Sequence, residues 1–314
     1  MTSYGQASGF CIDPVEKKPL AHFFPGTSVL SFGTAGCNLG CRYCQNWDVS
    51  KARDIARSSS PGSPENIAKT AASWGCSAVA FTYNDPVIFA EYAIDTAHAC
   101  HELGIRTIAV TAGYISEIAR AEFFSVMDAA NIDLKAFTDT FYRTLCAAEL
   151  APVLDTLKYV RRETQTWLEL TTLLIPGKND NPNEIEQLCE WVLEHLGADT
   201  PLHFTAFHPD YRATEIPATP SETCCRARAQ AIECGLRYVY TGNIVNEAGQ
   251  STSCPNCGAE VIRRRGYQIV GWHLESGRCS TCSTEIRGRF ASSEPSLFGE
   301  HRLPVQVPSS PAQG

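Results

Sequence analysis

VLSFGTAGCNLGCRYC (residues 29–44) joins an apolar run to three cysteines with the spacing C-x3-C-x2-C. A cubane iron–sulfur cluster has four irons and normally takes four thiolates. Three cysteines in one loop, Cys37, Cys41 and Cys44, therefore leave one iron without a protein ligand. A metal site with an open position can do chemistry, whereas a closed site has a structural role. A structural zinc ion with a distant fourth ligand is the alternative interpretation.

Length and composition describe a globular chain with room for one large core and a small accessory module. The chain has 314 residues, of which 44% are hydrophobic and 19% are charged. No apolar run approaches the roughly 20 residues that a membrane span needs, and the polar start lacks a secretory signal pattern. Fifteen cysteines in such a chain favour metal ligation in a reducing compartment over disulfides. We therefore expect a cytoplasmic protein that does not bind membranes.

Charge is distributed unevenly along the chain. The net charge is −8, which argues against nonspecific binding of nucleic acid by the body of the protein. Residues 254–290, in contrast, carry six arginines and three glutamates, a net charge of +3. This asymmetry predicts two modules with different roles.

Residues 28–242 alternate short apolar runs with amphipathic stretches. The first predicted strand is Val29–Phe32, and a long helical region is predicted over about 139–162. Such alternation predicts a parallel sheet with helices outside it. Six or seven units are fewer than the eight of a closed TIM barrel. We predict a partial (β/α)6-type TIM barrel; a doubly wound open sheet is the alternative.

Polar residues follow nearly every predicted strand. In both candidate folds, ligands bind beyond the carboxyl ends of the strands. The polar segments at these ends are Thr82–Pro86, Thr111–Tyr114, Asp133–Lys135, Thr171–Thr172, His208–Tyr211 and Thr241–Asn243. Their repetition predicts one binding site along this rim.

Several longer runs resemble a known family of enzymes. They are EKKPL (16–20), SFGTAGC (31–37), CQNW (44–47), TYNDP (82–86), NIDLKAF (131–137) and HFTAFHP (203–209). Over about residues 9–246 the chain resembles the radical S-adenosylmethionine (radical SAM) enzymes related to pyruvate formate-lyase-activating enzyme. Within them it is most similar to the radical SAM component of the AmmeMemoRadiSam system.

The resemblance implies a [4Fe–4S] cluster on Cys37, Cys41 and Cys44, with SAM chelating the open iron through its amino and carboxylate groups. Reductive cleavage of SAM would then give a 5′-deoxyadenosyl radical that abstracts hydrogen from an unidentified substrate. No catalytic residue is expected beyond the groups that hold cluster and SAM. The expected SAM contacts are Tyr43, Asn84, Asp85, Thr111, Asp133, Lys135 and His208. On the substrate side we expect Glu169, Asp210, Tyr211 and Asn243.

Two positions depart from the family pattern. Asp85-Pro86 stands where Glu-Pro is usual, which shortens the reach of the carboxylate to the SAM amino group. Val110 stands where activating enzymes of the type case carry an aspartate that helps to bind a cation near SAM. Activation of a glycyl-radical protein and modification of a peptide or small molecule both remain open.

The resemblance also implies partners: an external electron donor, and Memo-type and AMMECR-type proteins. An interpretation of a different class is a nonenzymatic metal-binding scaffold with a basic ribbon for nucleic acid. The ordered polar rim favours the enzyme.

Two C-x2-C pairs near the carboxyl terminus, 21 residues apart, have zinc-ribbon spacing. We predict that zinc is bound by Cys254, Cys257, Cys279 and Cys282. Rubredoxin-like iron or an auxiliary cluster is the alternative, because thiolates suit iron as well. Arg263–Arg265 is expected to be a solvated basic face, with RNA or an acidic partner as the alternative.

These observations predict four segments. They are an N-terminal extension (1–26), the radical SAM partial barrel (27–247), a zinc-ribbon-like module (248–291) and a disordered tail rich in Ser and Pro (292–314). Cys11 lies just before the cluster strand and could face the rim. The other cysteines are expected to be small buried hydrophobes.

Overall fold

Among residues 3–52, 60–291 and 302–308, which the computed structural model describes, nine strands form one mixed sheet. Eight of them precede the zinc-ribbon-like module, and the ninth is Leu303–Val305. The eight are β1 Phe10–Pro14, β2 Ser28–Phe32, β3 Ala78–Phe81, β4 Arg106–Thr111, β5 Ala129–Asp133, β6 Trp167–Leu174, β7 Leu202–Ala206 and β8 Val239–Gly242.

The strands lie side by side in the order in which the chain forms them. From β2 to β8 every neighbouring pair is parallel, and β1 pairs antiparallel with β2. A doubly wound sheet reverses its strand order at a switch point, and this sheet does not. Because parallel crossovers are right-handed, an unreversed order places the helices on one face. This confirms the predicted partial barrel, in which six crossovers join seven parallel strands.

Helices cover the outer face, and several of them begin with a side-chain cap. Ser63 accepts a hydrogen bond from the amide of Asn66 before the first turn of α2. Ile185, Leu188 and Val192 form the buried stripe of α7. The helices are α1 Trp47–Ser50, α2 Pro64–Ser73, α3 Ala90–Glu102, α4 Glu117–Ser125, α5 Asp139–Phe141, α6 Leu150–Glu163, α7 Pro182–His195, α8 Ser221–Glu233 and α9 Glu247–Gln250.

The long helix predicted over 139–162 is broken, so that prediction was wrong. After α5 the chain forms a π-helical turn, Tyr142–Cys146, and Ala147 then adopts a left-handed conformation with φ of 53°. The carbonyls of Leu145 and Cys146 accept hydrogen bonds from residues 42 and 40 of the cysteine-rich loop. Tertiary contacts of this kind cannot be read from helix propensity.

Residues 15–24, here called the plug, fill the barrel from its amino-terminal end. Leu20 of the plug packs against the inward alanines of β3, Ala78 and Ala80, whose small side chains leave room for it. Asn131 of β5 donates a hydrogen bond of 2.7 Å to the carbonyl of Pro19. The segment expected as an N-terminal extension is thus part of the barrel, because β1 and the plug complete its sheet and core.

The tail also differs from expectation where it is described. Leu303–Val305 pairs antiparallel with β1, and Leu303 lies opposite Ile12. The carbonyl of Pro308 accepts a hydrogen bond of 2.9 Å from Asn66. Disorder was therefore the wrong prediction for residues 302–308; the rest of 292–314 lies outside the described residues. Pairing with an existing edge strand stabilised a segment whose composition alone suggested disorder.

Residues 248–291, the ribbon module, form two small antiparallel sheets. Its strands are β9 Thr252–Ser253, β10 Glu260–Arg265, β11 Gln268–Trp272, β12 Leu274–Glu275 and β13 Arg278–Cys279. The apolar cluster of the module contains Val261 and Ile269 together with Tyr238 and Tyr240 from the barrel. The ribbon module therefore shares a core with the barrel edge.

No helix in the described part of the chain is both long enough and apolar enough to cross a membrane.

Candidate active site

A cavity of about 820 Å³ lies at the carboxyl ends of the parallel strands. Its volume is within the roughly 300–1,000 Å³ that is usual for small-molecule and cofactor sites. Residues 36–44, here called the cysteine loop, form one wall, and the plug forms the floor. The ribbon module closes one side through Arg264 and Tyr267.

The cysteine loop is held against the π-helical turn by backbone hydrogen bonds. The amide of Gly40 donates to the carbonyl of Cys146 at 2.7 Å, and Arg42 donates to Leu145 at 2.9 Å. Gly40 has no room for a side chain, because a Cβ there would lie 2.8 Å from the Cβ of Ala147. The loop geometry is therefore set by a distant part of the chain.

Cys37, Cys41 and Cys44 all line the cavity as free thiols. Their three sulfurs do not all lie within 4.8 Å of one another, whereas the ligands of a single ion would. Burial raises the pKa of the Cys37 thiol, and the carboxylate of Asp85 raises it further. A bound metal would be needed to favour the thiolate form here.

Asn84 braces the strand ends beside the cysteine loop. Its side-chain oxygen accepts from the amide of Thr34 at 3.0 Å, and its amide donates to the carbonyl of Gly36 at 2.8 Å. A Cβ at Gly33 would lie 2.5 Å from the Asn84 oxygen and 2.3 Å from the carbonyl oxygen of residue 82. Glycine is therefore required at position 33 for this close approach.

Asp85 is fully engaged with its own surroundings. Its carboxylate accepts from the hydroxyl of Thr111 at 2.8 Å and from the amides of Ala112 and Val87 at 2.9 and 3.1 Å. Burial raises the pKa of Asp85, and these hydrogen bonds oppose that effect. The side chain joins the ends of β3 and β4.

Asp133 and Lys135, at the end of β5, form an ion pair of 2.7 Å on the cavity wall. Burial opposes the charge on Lys135, but Asp133, together with the nearby sulfurs of Cys41 and Cys146, holds the pKa of Lys135 well above its usual value. The Lys135 ammonium is thus kept charged at the cavity surface.

His203 of β7 faces the floor of the cavity and is held from behind by Glu169. The Nε2 of His203 lies 2.7 Å from one Glu169 oxygen. That carboxylate also accepts from the amides of Ala21 and His22 at 2.9 and 2.8 Å and from Trp167 Nε1 at 3.0 Å. Because the carboxylate can only accept, the hydrogen of His203 resides on Nε2.

The profile of the radical SAM superfamily matches residues 32–192, about half of the chain. The chain belongs to the radical SAM superfamily. The match includes the cysteine loop and the cavity-lining ends of β3 to β6.

Relatives agree with this membership. An uncharacterized protein of Methanocaldococcus jannaschii is 40% identical over 285 residues, which are 90% of this chain and 84% of the relative. Pyruvate formate-lyase 1-activating enzyme of Escherichia coli K12 is 23% identical over 238 residues, 69% of this chain and 93% of the relative. Among solved structures, Streptococcus suis SuiB bound to precursor peptide SuiA has a TM-score of 0.56 and 14% identity, over 74% of this chain and 52% of that chain.

These findings confirm the predicted class of chemistry. This radical SAM protein is an enzyme, related to the pyruvate formate-lyase-activating enzymes, that cleaves SAM at an iron–sulfur cluster. The donor set fits such a cluster: three free thiols on one cavity wall, too widely spaced for one ion, with space beside them for a cosubstrate. The comparisons do not identify the substrate.

The residues expected to contact SAM fall into two groups. Six of the seven line the cavity, and among the described residues His208 is not part of the lining. His208 follows the end of β7 by two residues and is exposed. The six are Tyr43, Asn84, Asp85, Thr111, Asp133 and Lys135.

Most of the residues expected on the substrate side lie elsewhere. Glu169 is fully buried behind His203, so it cannot touch a ligand in the cavity. Asp210 accepts a hydrogen bond from Trp47 Nε1 at 3.0 Å, and the Tyr211 ring stacks on Trp47 at 5.7 Å, outside the cavity lining. Asn243 lines the cavity and donates to a backbone carbonyl at 3.1 Å. Cys11 is buried under Arg302, 2.8 Å from its Nε, and does not face the rim.

The four carboxy-terminal cysteines converge on one point. Their sulfurs all lie within 4.8 Å of one another, with 3.6 Å between Cys254 and Cys282 and 3.7 Å between Cys257 and Cys279. Thiolates about 2.3 Å from a tetrahedral ion are about 3.8 Å apart. The set therefore fits a single tetrahedral ion, which it would surround completely.

The arginine run of the ribbon module is not a uniform basic face. Arg264 is only 3% exposed and donates to the carbonyls of Ala21 and Gln250 at 2.8 and 3.2 Å. Its exposed neighbour Arg265 pairs with Glu247 at 3.0 Å. Because these charges are already paired, the run offers little to the phosphates of a nucleic acid.

Sequence reasoning missed several residues that line the floor. His203 and Lys17–Lys18 stand inside the quoted runs HFTAFHP and EKKPL, so the signal was present without an assigned role. Arg264 gave no such signal, because an exposed and a buried arginine look alike in a sequence.

Proposed function

We propose that Cys37, Cys41 and Cys44 hold a [4Fe–4S] cluster whose open iron takes SAM, and that the substrate lies between SAM and the floor. The observation that carries this proposal is the set of three free thiols on one wall of a cavity that also presents the Asp133–Lys135 pair. A cavity of about 820 Å³ is large enough for more than one small ligand.

When bound, the cluster supplies one electron to the SAM sulfonium, which yields methionine and a 5′-deoxyadenosyl radical for hydrogen abstraction. The role of the chain is to position and to shield. Asp133 and Lys135 are suited to the ribose hydroxyls and the carboxylate, because they present an acceptor and a donor side by side. The buried strand ends exclude water that would consume a radical.

We assign Asp85 a different role from the one its motif suggests. Its oxygens are occupied by Thr111, Ala112 and Val87, so it fixes the two strand ends that frame the SAM site. Val110 lines the cavity where the type case of activating enzymes has an acidic cation ligand. This favours modification of a peptide or small molecule over activation of a glycyl-radical protein.

For the ribbon module we propose zinc, held by the four converging cysteines as a structural ion. We also propose the boundary between barrel and ribbon near residue 248, although the two share a core. An external electron donor, association with Memo-type and AMMECR-type proteins, and a reducing cytoplasmic setting complete the proposal. The last is supported by the cysteines, all of which are free thiols.

The test is anaerobic reconstitution with iron and sulfide, followed by SAM and dithionite, with 5′-deoxyadenosine measured by chromatography. Wild type and Cys225→Ala, which removes an exposed thiol that is not part of the cavity lining, should both form 5′-deoxyadenosine. Cys37→Ala should form none above background while keeping its circular dichroism spectrum. Cleavage that survives in Cys37→Ala would show that the cluster is held elsewhere.

A further inference from the structure

The floor of the cavity carries two lysines that share one carboxylate. Lys17 Nζ lies 3.0 Å from Asp13 Oδ1, and Lys18 Nζ lies 2.7 Å from Asp13 Oδ2. Both lysines line the cavity. The Lys17 side chain is 32% exposed, whereas those of Lys18 and Asp13 are 3% and 0% exposed. Two cations with one anion leave an excess positive charge at this point.

These lysines also have hydrogen-bond donors to spare. An ammonium group has three N–H donors. Within the described residues Lys17 and Lys18 each make one hydrogen bond, and both go to Asp13. Each lysine therefore keeps two donors, at a surface that faces the cavity.

Within the part of the chain that the structure describes, Asp13 is the only carboxylate that bonds either lysine. Glu16 accepts from the amide of Gly26 at 2.8 Å and lies 3.7 Å from Arg264, so it has its own partners. The remaining partner of Asp13 is the hydroxyl of Tyr83, at 3.1 Å, which is neutral. Lys18 lies 5.0 Å from the centre of the Tyr83 ring, a contact that stabilises a cation only modestly.

Burial also makes the positive charge of Lys18 unfavourable. It lowers the pKa of Lys18 to about 8, even though Asp13 acts to raise it. A buried ammonium whose charge is only partly neutralised gains from a second anion.

We propose that Lys17 and Lys18 form an anion subsite on the cavity floor, which takes a carboxylate or phosphate group of the substrate. Such an oxyanion neutralises the excess charge and accepts the free N–H donors. The inference rests on the proposed function, because the cysteine-loop wall is where SAM would bind. It narrows the substrate class to small anionic molecules, or peptides that present a carboxylate.

The experiment is isothermal titration calorimetry on the reconstituted, SAM-loaded protein without reductant, at constant ionic strength in chloride. Inorganic phosphate and acetate are titrated separately, and the tighter ligand identifies the group. Wild type should bind one of them saturably. Lys18→Gln and the more exposed Lys17→Gln should each weaken that binding at least about tenfold, the scale of a lost charge-assisted hydrogen bond.

Lys69→Gln is the matched control, because Lys69 is an exposed lysine of α2 outside the cavity lining; it should bind as wild type does. The subsite is overturned if wild type shows no saturable heat, or if both floor variants bind as tightly as wild type. It is also overturned if SAM binding, measured in every variant, falls in parallel with anion binding, since the lysines would then hold SAM. Anion binding that depends on both lysines, without any formation of 5′-deoxyadenosine, would support the subsite and contradict the proposed function.

Discussion

The two cysteine sets of this radical SAM protein differ in how completely they would surround a metal. The three thiols of the cysteine loop are spread along a cavity wall, whereas the four thiols of the ribbon module converge within 4.8 Å. The first set leaves a coordination position for a cosubstrate, and the second leaves none. An open coordination position, more than the number of cysteines, distinguishes a reactive metal site from a structural one.

The two cysteine sets also differ in how the rest of the protein holds them in place. The cysteine loop is fixed from outside by the π-helical turn and by Asn84, so the barrel determines its shape. In the ribbon module, the turn that follows Cys257 is open to solvent: a Cβ at Gly258 would meet nothing within 4 Å. We infer that the barrel orders the open site, whereas the ion orders the closed one.

The largest effect should come from one cysteine variant in each set. Cys44→Ala should reduce 5′-deoxyadenosine formation to background with little change in the melting temperature. Cys282→Ala should release the ribbon metal and unfold the module, because a structural zinc can supply about 10–16 kcal/mol of folding free energy. Metal analysis and thermal unfolding of both variants measure the contrast. Equal losses of stability in the two variants would contradict the claim that only the closed site is ordered by its ion.

Arg264→Met tests whether the ribbon module is independent of the barrel. It removes a buried guanidinium that bonds Ala21 and Thr252 and lies 3.7 Å from Glu16. Leaving Glu16 buried without this partner should cost about 3–5 kcal/mol in the free energy of unfolding. Urea denaturation measures the loss. Arg263→Met, at a side chain that is 53% exposed, should change stability by less than about 0.5 kcal/mol; equal losses would mean that Arg264 does not join the two regions.

A smaller effect is expected from glycine variants in the two regions. Gly40→Ala brings a methyl group within 2.8 Å of Ala147 and should cost about 1–3 kcal/mol, with less iron bound after reconstitution. Gly258→Ala has space but keeps a φ of 73°, so it should cost about 1–2 kcal/mol and leave iron in the cysteine loop unchanged. Iron content per chain is the deciding measurement. Unchanged iron in Gly40→Ala would show that the π-helical turn does not set the loop.

The smallest effect concerns stability at low pH, through the pairing of Asp13 with Lys17 and Lys18 of the plug. Burial acts to raise the pKa of Asp13, but Lys18 and Lys17 lower it to about 2. A lowered folded-state pKa contributes stability above about pH 4 that is lost as the pH falls towards 2. Relative to Asp13→Asn, wild type should lose about 1 kcal/mol between pH 7 and pH 3. Urea denaturation of both proteins at each pH measures this difference, and parallel pH profiles would contradict it.

Much of the fold could be predicted from local patterns. The alternation of apolar runs and amphipathic stretches predicted the parallel strands, and the first predicted strand, Val29–Phe32, lies within β2. The break at residues 142–147 could not be predicted, because it depends on amides of the cysteine loop that lie about a hundred positions earlier. The strand at Leu303–Val305 depends in the same way on a partner almost three hundred positions away.

The residues of the candidate site also divide into those that local spacing predicted and those that depend on tertiary packing. Cysteine spacing predicted both candidate metal-binding sets, because ligands of one site often lie close together in the chain. Glu169 was misplaced because a carboxylate at a strand can face the cavity or a buried histidine, and only the packing of the plug decides which.

The sequence by itself determined the chemistry of this protein, because thiol spacing and strand-end motifs are local and survive any choice of packing. Only the tertiary structure decided which charges face the cavity. Lys17, Lys18 and Arg264 lie far apart in the chain, and folding brings them to one cavity. Electrostatic environment is a property of neighbours in space, so the charges around the cavity became visible only after the chain was folded.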